Sequence, residues 1–270
     1  MCTLTLAWRS FPEASVVVAA NRDEALNRPS EPPRELEPGV VGPRDAEAGG
    51  TWIGYNDDGL FVGVTNRWVD GLGSSRSRGL LVRDCLREAS ADGAASLVEE
   101  SCVEHDYDGF NLVLADRDDA LLLEWDGTLG VTELGEGIHV VGNVGFDGTY
   151  YEPPDRADIA ERQARNARKL AAELGPFPDE TAEEWLERAG EALGDHEFGV
   201  CIHGDVSDSG TASDGTSDES GGGYGTRSSS LVIVGDDGSR RYDFADGPPC
   251  ETAYEPLIET TAADAGEGQS

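Results

Sequence analysis

Short segments in which apolar and polar residues alternate recur along most of this chain. Such alternation predicts β-strands, because successive side chains on a strand point to opposite faces. Turn dipeptides such as Asp58-Gly59, Asp126-Gly127 and Asp237-Gly238 lie between several of these segments and favour antiparallel hairpins. We predict strands at Thr3–Trp8, Ser15–Ala20, Leu60–Thr65, Phe110–Ala115, Ala120–Trp125, Ile138–Val141, Ser230–Val234 and Arg240–Phe244.

Helical spacing is clearest in the middle of the chain. The spacing of Ala160, Ala164, Ala167, Ala171 and Leu174 keeps one apolar face along a helix. A second helix begins at Thr181, where Glu184 completes a capping box, and its predicted buried side consists of Trp185, Leu186, Ala189 and Leu193. We also predict shorter helices at Leu80–Ala89 and Ala94–Val103.

The order of these elements predicts an α+β fold. Strands come first, helices gather in the middle and strands return, which differs from the βαβ alternation of a nucleotide-binding sheet. We expect one domain over residues 1–258. It contains a disordered insertion at about residues 204–223, rich in Gly, Ser, Thr and Asp, and is followed by a flexible tail over residues 259–270.

The charge balance restricts the partners of this protein. The 54 acidic and 20 basic residues give a formal net charge of −34, and Lys169 is the one lysine. This charge argues against binding to nucleic acid or to an anionic membrane, since both would repel the chain. It suggests adaptation to a salt-rich cytoplasm, where ions screen the repulsion. A hydrophobic content of 38% argues against an intrinsically disordered acidic protein.

The cysteine pattern favours a reducing compartment. The five cysteines are widely spaced and form no Cys-x-x-Cys pair. The sequence shows no charged leader before an apolar run and no stretch near the ~18 apolar residues of a membrane helix. We therefore expect a cytoplasmic protein without membrane insertion, and the oligomeric state is left open.

Cys2 is the most informative candidate for chemistry. Removal of Met1 would leave a thiol and a free α-amine on one residue. A thiol pKa near ~8.5 and an amine pKa near ~7.7 would combine a nucleophile with a base suited to neutral pH. The alternative is that Cys2 is a small apolar residue on a buried strand.

Several segments together give this chain a resemblance to a known family. It resembles the NRDE family, also called the Transport-and-Golgi-organisation family, from Met1 to about Phe244. The segments that carry the resemblance are Asn21-Arg22-Asp23-Glu24, Gly49-Gly50-Thr51-Trp52-Ile53-Gly54, Thr65-Asn66-Arg67, Gly142-Asn143 and Tyr224-Gly225-Thr226-Arg227-Ser228-Ser229-Ser230.

The resemblance implies an N-terminal-nucleophile hydrolase-like fold, in which two antiparallel sheets lie between helical layers. It also implies that Asn66 and Asn143 hold the oxyanion of a tetrahedral intermediate, a role that asparagine amides can fill without adding charge. Asparagine also commonly caps turns, which is the alternative for both residues. Asp23 would hold the Cys2 amine, and Arg227 would favour the thiolate. Arg227 could instead form a structural ion pair.

Arg22 departs from the pattern of the wider superfamily. Bile-salt-hydrolase-like relatives carry an arginine three residues before the aspartate, where Ala20 stands here. We expect this shift to point Arg22 to the other face of its strand. Arg22, Trp52 and Arg67 are assigned to substrate binding, and core packing is the alternative for Trp52.

We expect no metal site. Cys201-Ile202-His203 places two ligand types on one strand face, but no third ligand follows at comparable spacing. His105, His139 and His196 have no partner pattern.

These observations support two hypotheses of different kinds, and a structural or interaction protein whose ancestral pocket has decayed is a third alternative. The first is an amidohydrolase or acyltransferase without a cofactor, in which the Cys2 thiolate attacks a linear amide or acyl carbonyl of a small molecule. The second is a non-enzymatic carrier that binds haem or an acyl lipid in the same pocket. Haem would need an axial ligand from Cys2 or a histidine, and the Cys-x-x-Cys-His attachment motif is absent.

Overall fold

The computed structural model describes residues 2–154, 156–204 and 223–261. The chain forms two antiparallel sheets with two helices against the outer face of each, which confirms the predicted α+β sandwich. Met1, nearly all of the predicted insertion and the tail from residue 262 lie outside the described residues.

The strands are β1 (Thr3–Phe11), β2 (Ala14–Ala25), β3 (Ser30–Glu37), β4 (Val40–Asp45), β5 (Ile53–Asn56), β6 (Phe61–Asn66), β7 (Phe110–Ala115), β8 (Ala120–Trp125), β9 (Leu129–Glu133), β10 (Gly137–Gly142), β11 (Gly145–Phe146), β12 (Thr149–Tyr150), β13 (Tyr224–Val234), β14 (Arg240–Ala245) and β15 (Glu255–Thr260). The helices are α1 (Arg78–Cys85), α2 (Ala91–Glu104), α3 (Ala157–Glu173) and α4 (Ala182–Gly194). One sheet has the order β12-β11-β10-β1-β2-β13-β14-β15, and the other runs from β3 to β9 in sequence order.

The alternation in β1 explains its position at the centre of the molecule. Leu4, Leu6 and Trp8 point into the core between the two sheets, while Ala7 and Phe11 point into the core beneath α3 and α4. Each face of the strand is therefore buried against a different layer. A third core lies between the second sheet and the helices α1 and α2.

The helix predictions are confirmed. All four predicted helices form, although α1 runs from Arg78 to Cys85 and not from Leu80 to Ala89, and Thr181 caps α4 with the predicted capping box. Trp185 is fully buried, and its indole N–H donates to the backbone carbonyl of Leu174 over 2.8 Å. Its ring lies 5.9 Å from that of Phe11, so α4 is fixed against the end of β1.

Seven strands were missed by the sequence prediction: β3, β4, β5, β9, β11, β12 and β15. Most are short, lie at or near a sheet edge, or contain prolines and charges that weaken the alternating pattern. β15 also corrects the start predicted for the tail, because residues 259 and 260 still pair with β14.

The fold brings four chain segments to one end of the sandwich. The start of β1, the second half of β2, the end of β6 and the first turn of α1 all border one recess. Among the described residues, no helix combines the length and the apolar character needed to cross a membrane.

Candidate active site

The recess at this end of the sandwich contains Cys2. Its walls come from both sheets and from α1. The lining residues are Cys2, Thr3, Leu4, Ala20, Asn21, Arg22, Asp23, Glu24, Arg28, Asp45, Thr51, Trp52, Ile53, Val64, Thr65, Asn66, Ser77, Arg78 and Gly79. Five of the eight residues predicted for the site, Cys2, Arg22, Asp23, Trp52 and Asn66, are therefore in one place.

The Cys2 thiol is partly buried beside β2. Its S–H donates to the backbone carbonyl of Asp23, with 3.5 Å between sulfur and oxygen. Burial and, to a smaller extent, the negative charge of Asp23 raise the pKa of Cys2 to about 11. The thiol is consequently protonated at neutral pH in the chain that retains Met1, and it would need a base to become a nucleophile.

Asp23 is a buried carboxylate that lines the recess. The Thr226 hydroxyl donates to its Oδ1 over 2.6 Å, and the Tyr224 hydroxyl donates to its backbone carbonyl over 3.1 Å. Burial raises the pKa of Asp23, while the hydrogen bond from Thr226 lowers it. Thr226 was not predicted as a site residue, although it lies in the Tyr224–Ser230 segment that carries the family resemblance.

Arg22 faces the recess, so the orientation expected from sequence was wrong. Positions 20 and 22 are two residues apart on β2, and a period of two keeps them on one face; both line the recess. The register of β1 and β2 pairs Thr3 with Asn21, and one further step places Cys2 opposite Arg22. Side chains that are opposite each other in an antiparallel pair share a face.

The Arg22 guanidinium contacts one aromatic ring and two carboxylates. It stacks on Trp52, with 4.1 Å between its central carbon and the ring centre, and Nη2 lies 3.5 Å from Glu24 and 3.7 Å from Asp45. Nη1 is a buried donor without a hydrogen-bond acceptor among the described residues. Burial lowers the pKa of Arg22.

Asn66 and Asn143 occupy different positions around the recess. Asn66 is the last residue of β6 and lines the recess, and no described residue hydrogen-bonds to its side-chain amide. Asn143 follows β10, and its amide donates to the backbone carbonyl of Asn66 over 2.7 Å. Asn143 therefore holds the backbone at Asn66 in place, but it does not itself line the recess.

Arg227 and Arg67 lie outside the set of residues that line the recess. Arg227 stands at an irregularity in the pairing of β13 with β2 and forms an ion pair with Asp246 over 2.9 Å. Arg67 binds Glu124 over 2.6 Å and stacks on Tyr151 at 4.4 Å. Both arginines therefore form ion pairs with acidic side chains outside the recess.

The Gly49-Gly50 motif permits a close approach between β5 and α1. A Cβ on Gly50 would lie 2.2 Å from the backbone carbon of Gly79, and the amide of Thr51 donates to the Gly79 carbonyl over 3.0 Å. These contacts bring Ser77 and Arg78 to the recess wall, positions that the sequence analysis did not identify.

Arg28 and Asp45 form a further ion pair at the rim of the recess, with 2.8 Å between Nε and Oδ2. Burial opposes ionisation of Asp45, but the Ala48 amide and the Arg28 guanidinium together hold its pKa below the usual value. Sequence reasoning also missed this pair, since the residues are 17 positions apart and belong to no shared motif.

A separate cluster contains metal-ligand types. The ligand atoms of His196, Cys201, His203 and Cys250 all lie within 4.8 Å of one another. Sequence reasoning found Cys201 and His203 but expected no metal site. The other two side chains come from a turn and a loop that the fold brings beside them.

Comparisons with known proteins agree with this architecture. A family profile described as "Transport and Golgi organisation 2" matches residues 1–244. The Transport and Golgi organization protein 2 homologs of Bos taurus and Homo sapiens are 33% and 34% identical over 108 residues. That region is 37% of this chain and 38% of each relative, so less than two-fifths of either relative is covered.

A solved structure, penicillin V acylase from Agrobacterium tumefaciens, has a similar fold. The two superpose with a TM-score of 0.54 at 17% identity, covering 98% of this chain and 88% of the acylase. At this level of identity the likeness concerns the fold, which is that of the N-terminal-nucleophile hydrolases.

Proposed function

Because the chain belongs to the Transport and Golgi organisation 2 family, we propose that it is a cysteine hydrolase or acyltransferase of the N-terminal-nucleophile type. One observation carries the proposal. The Cys2 thiol shares a recess with a buried carboxylate, Asp23, with the Asn66 side chain, and with Arg22, whose Nη1 has no hydrogen-bond partner among the described residues. The structural neighbour is named an acylase, which is the same class of reaction.

The proposed reaction begins with removal of Met1. The new α-amine of Cys2 lies beside Asp23, whose carboxylate accepts a hydrogen bond from it and holds it near the sulfur. The amine takes the thiol proton, and the thiolate attacks the carbonyl carbon of the substrate. Burial keeps the Cys2 thiol neutral, because it disfavours the charged thiolate. The thiolate nucleophile therefore forms only when the amine is present as a base.

The tetrahedral intermediate carries a negative oxygen that needs donors. The Asn66 amide at the end of β6 supplies one, and Asn143 fixes the position of Asn66 through its backbone carbonyl. Collapse of the intermediate breaks the carbon–nitrogen bond, and the protonated Cys2 amine gives its proton to the departing nitrogen. The acyl group remains on sulfur as a thioester until water or a second amine takes it.

The substrate proposed for this recess is a small linear amide or ester with an acidic or strongly polar group. Arg22 Nη1 faces no other partner among the described residues, and the stack on Trp52 fixes its direction. An anionic oxygen bound there would satisfy a buried donor, which otherwise costs about 1–3 kcal/mol.

The test combines intact mass with single-turnover chemistry. The full chain is purified and treated with a panel of N-acyl amides and an acyl-transferring β-lactone probe. We expect loss of Met1, one acyl adduct located on Cys2, and no adduct in Cys2→Ser, while Cys102→Ser keeps it. A chain that retains Met1, or an adduct at a different cysteine, would refute the mechanism.

A carrier of haem or an acyl lipid is the rival function for the same recess. The raised pKa of the Cys2 thiol favours it for a chain that keeps Met1, because a protonated sulfur is a poor nucleophile. Of the residues known to line the recess, Cys2 is the one with an axial-ligand type for iron. Titration with haemin separates the two: saturable binding that is lost in Cys2→Ala supports the carrier.

A further inference from the structure

Four side chains suited to a metal ion meet at the surface beside the end of α4. They are His196, Cys201, His203 and Cys250, and each offers one ligand atom. Cys201 is buried and the other three are exposed, so the cluster can be reached from solvent. Within the described residues no other group of this kind is found.

The distances within the cluster are close to those of a tetrahedral site. Cys201 Sγ lies 3.5 Å from Cys250 Sγ and 3.8 Å from His203 Nε2, and His203 Nε2 lies 2.9 Å from Cys250 Sγ. Tetrahedral zinc, with bonds of ~2.3 Å to sulfur and ~2.1 Å to nitrogen, separates two sulfurs by ~3.8 Å and sulfur from nitrogen by ~3.6 Å. These three distances therefore differ from the tetrahedral values by less than ~1 Å, and the ligand atom of His196 lies within 4.8 Å of each of the other three.

The backbone explains how three separate segments meet. Gly199 has a φ of +62°, a left-handed conformation that reverses the chain between His196 and Cys201. Gly194, at the end of α4, packs against the Pro249–Cys250 backbone, and a Cβ there would lie 3.2 Å from the Cys250 amide nitrogen. The loop that carries Cys250 is thereby brought to the turn after α4.

The second ring nitrogen of His203 has an outer partner. While Nε2 faces both sulfurs, Nδ1 lies 3.9 Å from a carboxylate oxygen of Glu251. A histidine that binds a metal commonly offers its other nitrogen to a carboxylate, which sets the ring orientation and strengthens the ligand. The His196 ring meets the His203 ring edge-on, with 5.2 Å between the centres.

We propose that His196, Cys201, His203 and Cys250 bind one Zn²⁺ ion in a structural site. Two thiolates and two imidazoles suit zinc, whereas magnesium and calcium prefer oxygen ligands. Two thiolate charges also balance the charge of the ion. Four protein ligands leave no position for water or substrate, which is the arrangement of a structural zinc rather than a catalytic one.

The ion would stabilise the segment that supports Asp23. Ile202 stands between two of the ligands, and its amide donates to Thr226 Oγ1 over 2.8 Å while its carbonyl accepts from the Thr226 amide over 2.8 Å. The same Thr226 hydroxyl donates to Asp23 over 2.6 Å. Zinc would thus fix Ile202, and through it the Thr226 hydroxyl that donates to the Asp23 carboxylate.

The test measures the metal directly, so its result does not depend on whether Cys2 is catalytic. The full chain is expressed with zinc in the medium, purified under reducing conditions and passed over a competing chelator. We expect about one zinc per chain by elemental mass spectrometry. Replacement by Co²⁺ should give the intense visible absorption of a tetrahedral ion and a sulfur-to-cobalt charge-transfer band.

The variants test the ligand set. Cys250→Ala and His203→Gln change exposed side chains, and each should weaken zinc binding by more than about tenfold with the far-ultraviolet circular dichroism unchanged. Cys102→Ala and His105→Gln, which lie in and beside α2, should keep the metal. In the wild-type chain, zinc should also protect Cys201 and Cys250 from maleimide and slow hydrogen exchange at Ile202.

Two results would overturn the zinc site, and neither requires a variant to fold. One is wild-type protein that takes up no zinc or cobalt after full reduction. The other is that Cys201 and Cys250 are found only as a disulfide, even in protein purified under reducing conditions. Retention of tight zinc binding by a folded Cys250→Ala variant would exclude the proposed ligand set.

Discussion

The Thr226 hydroxyl donates a hydrogen bond of 2.6 Å to the carboxylate of Asp23, and both side chains are buried. Burial raises the pKa of Asp23, and this hydrogen bond opposes the rise because it favours the ionised form. The Thr226 hydroxyl also accepts from the Ile202 amide, so one side chain links the recess to the neighbouring cysteine and histidine cluster.

Thr226→Val should raise the pKa of Asp23 further. If the ionised carboxylate holds the Cys2 amine, the rate of acylation at neutral pH should fall by about tenfold to a hundredfold. This range corresponds to the free energy of one hydrogen bond to a charged group. The acid limb of the pH–rate profile should move to higher pH. Thr226→Ser keeps the hydroxyl and should restore both properties, whereas an unchanged profile in Thr226→Val would show that Asp23 needs no such donor.

The pKa of about 11 for the Cys2 thiol predicts how it reacts while Met1 is retained. Alkylation of Cys2 by iodoacetamide should be slow at pH 8 and rise about tenfold per pH unit toward pH 11, because the thiolate is the reactive form. Asp23→Asn removes a nearby negative charge, so it should lower the pKa and speed alkylation at pH 8. Peptide-resolved mass spectrometry measures Cys2 alone, and equal rates in both proteins would contradict the assigned effect of Asp23.

Gly50→Ala should destabilise the protein by more than about 2 kcal/mol, because the new Cβ would meet the Gly79 backbone at 2.2 Å. The first turn of α1, which forms one wall of the recess, would have to move. Gly73→Ala is the matched control, since nothing lies within 4 Å of its Cβ, and its effect should stay within ~0.5 kcal/mol. Urea unfolding measures both free energies, and equal values would remove the packing argument.

Local patterns predicted the parts of the fold that depend on neighbours in sequence. The alternation in β1 assigned Leu6 and Ala7 to opposite faces, and the Thr181 capping box fixed the start of α4. β3 was missed because Pro32 and Pro33 interrupt its pattern, and an edge strand can tolerate prolines since one side makes no ladder.

The candidate site was predictable where residues lie near each other in a motif, and not where the fold assembles them. Asp23 and Asn66 stood out because each lies in a short recognisable segment. His196 and Cys250 are 54 positions apart in the sequence, and they meet beside Cys201 only after α4 and the loop between β14 and β15 pack together. Sequence motifs for metal sites rely on ligands that are close together in the sequence, so they do not detect such a cluster.

The His139–Asp147 pair should make stability depend on pH. His139 Nδ1 lies 2.5 Å from Asp147, and although burial acts against the charge, the hydrogen bonds to Asp147 and to the Gly135 carbonyl raise the pKa of His139. A raised histidine pKa contributes stability that is fully present below the unfolded value near ~6.5 and is lost as pH rises through the folded value.

Asp147→Asn therefore should lower the free energy of unfolding by about 1–2 kcal/mol more at pH 5.5 than at pH 9. Chemical denaturation at the two pH values measures this difference. Asp246→Asn is the control variant. It removes the ion pair with Arg227, which contains no histidine, so its effect on the free energy of unfolding should not depend on the ionisation of a histidine. A loss for Asp147→Asn that is equal at both pH values would show that the pair contributes no charge interaction.

The net charge of −34 predicts a dependence of stability on salt. Carboxylates repel one another over the Debye length, which is ~10 Å at 0.1 M salt and ~3 Å at 1 M, so most of the repulsion should be screened before 1 M. We expect the melting temperature to rise by about 5–15 °C between dilute buffer and 1 M KCl, with the larger part of the rise below 0.5 M. Sucrose at matched osmolarity separates screening from exclusion effects, since it carries no charge. Equal melting temperatures in dilute buffer and molar KCl would show that the fold tolerates its charge without salt.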